Sequence, residues 1–175
     1  ALAAVNGVVT PLSEANVPVL DRGFLFGDAV YEVVRVFQGA PFHLEHHIVR
    51  LKNSAEGLRF STFPSVETLC QQMAALLQAS EVQFGSLYIQ VTRGQTASRG
   101  IFPGKDTPCT VVITVEDKDP YPETLYAEGV DVVTRPEQRW LRADLKTVNL
   151  VPRILAKRDA LACGAWEVIW LGEGK

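Results

Sequence analysis

Three short stretches of the sequence hold residues whose types and spacing suit chemistry. In Arg139-Trp-Leu-Arg-Ala-Asp-Leu-Lys-Thr-Val-Asn-Leu150, Lys146 stands among Leu145, Val148 and Leu150, just ahead of a helical pattern. Apolar surroundings disfavour an ammonium ion, so a lysine placed there is eased toward the neutral amine that attacks an aldehyde to form a Schiff base. A solvated lysine at a helix start fits the same letters. In Leu20-Asp-Arg-Gly-Phe-Leu-Phe-Gly-Asp-Ala-Val-Tyr-Glu32, Gly23 and Gly27 allow tight turns. Asp21 and Asp28 suit local backbone N–H groups. Tyr31 and Val33 alternate onto one face of the strand that follows, either as pocket wall or as plain core. In His43-Leu-Glu-His-His-Ile-Val-Arg-Leu51 the histidines lack the spacing of a zinc helix, and no metal site is expected. Arg50 could grip a phosphate through two parallel hydrogen bonds or simply face solvent.

Several elements must position these residues. Asn6-Gly7 between valines predicts a tight hairpin. Val30 to Phe37, rich in β-branched residues, predicts a strand, and Gln38-Gly39-Ala40-Pro41 turns it into a short partner ending near His43. Leu44, Ile48, Leu51, Ala55 and Leu58 repeat at helical spacing, predicting a helix from about residue 44 to 58. Ser65 is the expected N-cap of a second helix reaching about Ala79. Strands are expected at Ser86 to Thr92 and Cys109 to Val115. Mixed rather than alternating strands and helices point to an α+β layer sandwich.

The charged, proline-bearing run from Glu116 to Glu123 reads as a linker. The expected organisation is therefore an α/β sandwich over 1–117, a linker over 118–126 and the start of a second domain over 127–175. A strand near Val130 to Thr134, a helix from about Leu150 to Cys163 and a strand at Trp166 to Leu171 would follow. Gly172-Glu173-Gly174-Lys175 reads as a hairpin turn with nothing to pair against, which leads to the expectation that the second domain is truncated.

A net charge of -3 and scattered basic residues give no electrostatic case for nucleic acid. No apolar run approaches the ~20 residues that span a bilayer, and no signal peptide is visible. Cys70, Cys109 and Cys163 fit neither a disulfide framework nor a zinc site, so they read as reduced thiols of a cytoplasmic protein.

Together, DRGFLFGDAVYEVVRVF, HHIVRLKNSAEGL, YIQVTRG and RWLRADLKTVNLVPRILAKRDA resemble fold-type IV, pyridoxal-phosphate-dependent aminotransferases of the D-amino-acid type along nearly the whole chain. That resemblance implies a two-domain aminotransferase fold whose N-terminal α/β sandwich is complete, a homodimer and pyridoxal 5′-phosphate as cofactor. It implies transfer of an amine from a D-amino acid such as D-alanine to a 2-oxo acid such as 2-oxoglutarate. It assigns the Schiff-base lysine to Lys146, the cofactor-phosphate arginine to Arg50, and the substrate side to Tyr31 and Val33. Two departures matter. The family's Arg-x-His pair, which holds the substrate carboxylate, falls on Ser98 and Gly100, leaving Arg99 one position off as the candidate. The glutamate that meets the pyridine nitrogen would lie beyond Lys175. Aminodeoxychorismate lyases, branched-chain and (R)-amine transaminases are neighbouring readings, and a scaffold that kept the fold without the site is a different one.

Overall fold

The computed structural model describes residues 1–104 and 106–172. It divides into two compact units, one of Ala1–Pro120 with Asp144–Val148, the other of Tyr121–Ala143 with Asn149–Lys175.

The first unit opens with strands β1 (Leu2–Val5) and β2 (Val8–Pro11), joined by Asn6 and Gly7 at φ of 51° and 83°. Positive φ at both central residues is the geometry the Asn-Gly pair predicts. A single 3-10 turn over Leu12–Glu14 follows. The glycine-rich stretch expected to be a turn contains a short helix, α1 (Arg22–Phe26). The Asp21 side chain accepts the Gly23 N–H at its start, and Gly27 ends it at φ 65°. Strand β3 (Ala29–Phe37) turns into β4 (Ala40–Pro41), which stops short of the expected His43. The reason is local: His43 adopts a left-handed conformation (φ 50°) to start the next helix.

Helices α2 (Leu44–Gly57) and α3 (Val66–Ser80) fall where the apolar spacing predicts, and the Ser65 hydroxyl accepts the Thr68 N–H as an N-cap. Strands β5 (Phe84–Thr92) and β6 (Thr110–Asp117) complete an antiparallel six-stranded sheet in the order β2-β1-β6-β5-β3-β4. Ile48 and Leu51 of α2 and Leu69, Met73 and Leu76 of α3 pack on Val30, Val34, Val36, Leu87, Ile89 and Ile113 of the sheet, all fully buried. This is an α/β sandwich of two layers, held chiefly by apolar burial.

The expected linker region is only partly irregular. After β6 ends at Asp117, helix α4 (Glu123–Glu128) starts behind Pro122, a residue well suited to a helix entrance because it needs no N–H partner there. Strand β7 (Val132–Pro136), helix α5 (Val151–Ala162) and strand β8 (Glu167–Leu171) follow. β8 pairs in parallel with β7, so the last strand has a partner. The second unit buries a small cluster of Ala156, Ala160, Ala165 and Val168, flanked by Val133 and Trp170. The hairpin expected at Gly172–Lys175 lies mostly outside the described residues.

Candidate active site

Strand β3 carries the site because its two faces do different work. Val30, Val34 and Val36 point into the core under the helices, and by parity Glu32 points there too. A carboxylate at a core position needs partners, and α2 supplies them. Arg50 donates from Nε to Glu32 Oε1 at 2.5 Å and from Nη2 to Oε2 at 2.7 Å, while His47 Nδ1 lies 3.0 Å from Oε2. Burial pushes the Glu32 carboxyl up, but hydrogen bonds from Arg50 and His47, with the positive charges of Arg50 and Lys146, bring it below the ordinary glutamate value. An ionised Glu32 can only accept, so His47 Nδ1 carries a hydrogen. The same pairing raises Arg50. Glu32 is 0% exposed and Arg50 58% exposed, so the pair runs from the core to the surface. Arg50 Nη1 makes no hydrogen bond among the described residues, leaving that edge of the fork turned outward.

The other face of β3 presents Tyr31 and Val33, opposite Gln90 and Tyr88 of β5 in register. The Tyr31 and Tyr88 rings lie 5.7 Å apart, and Tyr88 Oη donates to Gln90 Oε1 at 2.6 Å. Burial, with a smaller contribution from Tyr31, pushes the Tyr88 hydroxyl up to about 12. Tyr31 is buried and Val33 partly exposed, so this face offers an apolar wall with a polar edge.

Lys146 joins this face although it lies more than a hundred residues away in sequence. Its carbonyl accepts the Tyr31 N–H at 3.1 Å, its own N–H donates to Ser54 Oγ at 3.1 Å, and Thr147 forms an isolated bridge with Val30. Leu145 packs where α2 carries Gly57; a Cβ there would sit 2.5 Å from a Leu145 methyl. The Lys146 amine then lies 4.0 Å from the centroid of the Tyr31 ring. Among the described residues it pairs with no carboxylate. The expectation of a purely apolar setting is thus refined: an aromatic face holds the amine, and Leu145 anchors the segment beneath it.

Asp28, expected to satisfy local backbone groups, instead receives two guanidiniums, from Arg22 and Arg93. Arg99 lies with its guanidinium carbon 5.2 Å from the Phe26 ring centroid, in the exposed loop after β5. Lys146, Tyr31, Arg50 and Glu32 are linked around β3, whereas Arg99 belongs to the α1 corner of the same unit. Glu32 and His47 are the residues that the sequence reading missed. The signal was present, since Glu32 interrupts a run of valines at core parity.

The family model for amino-transferase class IV matches residues 29–175, and the chain belongs to that family. It is 35% identical over 169 residues to a D-alanine aminotransferase from Bacillus licheniformis, covering 97% of this chain and 59% of that protein. The structure of 4-amino-4-deoxychorismate lyase from Pseudomonas aeruginosa superimposes with a TM-score of 0.81 at 28% identity, over 98% of this chain and 62% of that one. A branched-chain amino acid aminotransferase from T.th., solved with pyridoxamine 5′-phosphate, gives 0.84 at 25%, over 98% and 59%. The chain therefore spans about three fifths of the length of the relatives it matches.

Proposed function

We propose that this chain carries the lysine side of a pyridoxal 5′-phosphate site and serves a transaminase that moves an amine from a D-amino acid, such as D-alanine, to a 2-oxo acid such as 2-oxoglutarate. The carrying observation is the Lys146 amine, free of any carboxylate among the described residues and fixed by its own backbone against Tyr31. Class IV aminotransferases depend on this cofactor. The donor set suits it: an amine for an aldehyde and, beside it around Glu32, an arginine with one edge turned outward for a phosphate.

When bound, the cofactor supplies an aldehyde and a conjugated ring that takes up the electrons released as the substrate Cα–H bond breaks. Lys146 Nζ is the group placed to take and hold the Cα proton. Tyr31 limits where that amine can swing, since the ring lies directly beneath it. Glu32 spends two of Arg50's donors and thereby fixes the direction of the third. Val33 and Tyr31 form the substrate wall, and Arg99 is the candidate for the substrate carboxylate. The working form is proposed to be a cytoplasmic homodimer, with residues 118–126 linking a sandwich domain over 1–117 to a cofactor-binding domain that begins at 127. No helix among the described residues is long and apolar enough to cross a membrane.

The test is spectroscopic. The intact protein with pyridoxal phosphate should show a visible absorbance band that borohydride removes, with the added mass on the peptide carrying Lys146. Lys146→Ala should lose both band and transamination while keeping its far-UV circular dichroism. A Lys146→Ala protein that still transaminates at the normal rate would refute the reading. The likeness to the lyase from Pseudomonas aeruginosa supports a second reading. Pyruvate released from aminodeoxychorismate without any oxo-acid acceptor would favour it.

A further inference from the structure

Arg22 is a charged side chain only 4% exposed, and every nitrogen of its guanidinium is committed. Nε donates to Asp28 Oδ2 at 2.8 Å, Nη1 to the Gly100 carbonyl at 2.8 Å and Nη2 to the Ile101 carbonyl at 2.7 Å. Asp28 also receives Arg93, from Nε at 2.8 Å and Nη2 at 3.0 Å. Arg93 in turn donates to the carbonyls of Leu58 and Arg59. One carboxylate thus joins two guanidiniums, and each guanidinium spends its remaining donors on backbone carbonyls. The backbones beneath are tied as well: Arg22 N–H donates to the Gly94 carbonyl and Arg93 N–H to the Asp28 carbonyl.

What the arrangement grips is an otherwise exposed loop. Residues 97–102 are all solvent-facing, yet two consecutive carbonyls of that loop are held by one buried fork. Burying a guanidinium is costly unless all its donors are satisfied, so the holding is built in and not incidental. The residue immediately before the gripped pair is Arg99, and its guanidinium shares the Phe26 ring with that of Arg22, at 5.2 and 4.9 Å from the centroid. We propose that Arg22, tethered by Asp28, is a positioning residue that clamps the 97–102 loop so that Arg99 is presented to the carboxylate of the substrate. This rests on the transaminase reading above, and it adds to that reading the part of the fold that sets carboxylate recognition.

The experiment compares the intact wild type with Arg22→Met and Asp28→Asn. The first readout does not depend on function: the rate of trypsin cleavage after Arg99, followed by mass spectrometry. It should rise about ten-fold in Arg22→Met, because local opening exposes the bond, and less in Asp28→Asn, which keeps the two carbonyl contacts. The second readout is kcat/KM for alanine, in whichever enantiomer is turned over, against the matching alaninamide. The preference for the acid should fall about ten-fold in Arg22→Met while the amide value stays near wild type. An unchanged trypsin rate overturns the clamp. Equal losses on acid and amide overturn its positioning role. If Arg22→Met fails to fold, Asp28→Asn must show both effects in weaker form, and its failure to do so overturns the proposal. Should the wild type transfer an amine from neither donor, the transaminase reading falls and the carboxylate role with it, whereas the trypsin result still decides the clamp.

Discussion

Replacing Glu32 with glutamine isolates the charge of the one acid at a core position of β3. Glu32 is 0% exposed and accepts two bonds from Arg50 and one from His47. Glutamine keeps an oxygen for Arg50 Nε but sets an NH2 group against Arg50 Nη2 and His47 Nδ1, so one bond is kept to a neutral acceptor and the Nη2 bond is lost. Charged hydrogen bonds contribute about 1.5–3 kcal/mol each. Breaking a fully buried pair costs about 3–5 kcal/mol, but Arg50, being 58% exposed, regains water and brings the cost down. The expected loss is about 2–3 kcal/mol. Because the folded-state pKa of Glu32 is depressed below the ordinary 4.5, its contribution is present above that value and is lost as pH falls through the folded value. The gap between wild type and Glu32→Gln should therefore be full at pH 7 and shrink below about pH 4.5. Trp140, Trp166 and Trp170 all lie in the second unit, so β3 carries no tryptophan of its own. Hydrogen exchange of peptides covering β3 and α2, measured at neutral and acid pH, is the suitable assay. A gap under about 0.5 kcal/mol at pH 7, or one that does not shrink in acid, would refute the reasoning.

Two further perturbations follow from the same geometry. Gly94 has φ +93°, and a Cβ there would lie 1.9 Å from the Pro108 carbonyl oxygen, so Gly94→Ala should cost about 3 kcal/mol or more and lower the melting temperature accordingly. Tyr88, with its hydroxyl pushed up to about 12, should give a late step in an ultraviolet titration, and Tyr88→Phe should remove that step. Its raised folded pKa means stability from Tyr88 is complete below pH 10 and lost as pH rises toward 12, so the alkaline decline should be shallower in the phenylalanine variant.

Local signals in the sequence sufficed for α2, α3 and the hairpin. The Asn6-Gly7 turn, the Ser65 cap and the apolar stripes of α2 and α3 are decided by neighbours within a few residues. Helix α1 was missed because its five residues carry no apolar period; an aspartate cap and a left-handed glycine define it instead. The end of β4 was misplaced because His43 adopts a positive φ that its side chain does not announce. Asp28 was misassigned because Arg93 is brought to it by the pairing of β3 with β5, and Arg22 by the turn of α1 back to β3. Glu32 was legible in principle: its parity with Val30, Val34 and Val36 forces it inward, and a buried carboxylate requires a cation one helix turn from a second donor. His47 and Arg50, three apart on α2, satisfy that requirement.

The placement of Lys146 shows why the site could be suspected from letters but not built from them. Apolar neighbours in sequence say little about an amine whose position is set by main-chain bonds to β3 and α2. The Tyr31 N–H, the Ser54 hydroxyl and the Ala29 carbonyl, which receives the Val148 N–H, hold the segment before its side chain is considered. Gly57 leaves the room that Leu145 fills. None of these contacts uses the lysine side chain, so the segment keeps its place when the amine leaves the Tyr31 ring. Glu32 sits on the opposite face of the same strand, where its charge acts on Arg50 directly and on Lys146 only at a distance. One strand thus carries both the ring that faces the amine proposed to react and the acid that fixes the arginine proposed to hold a phosphate.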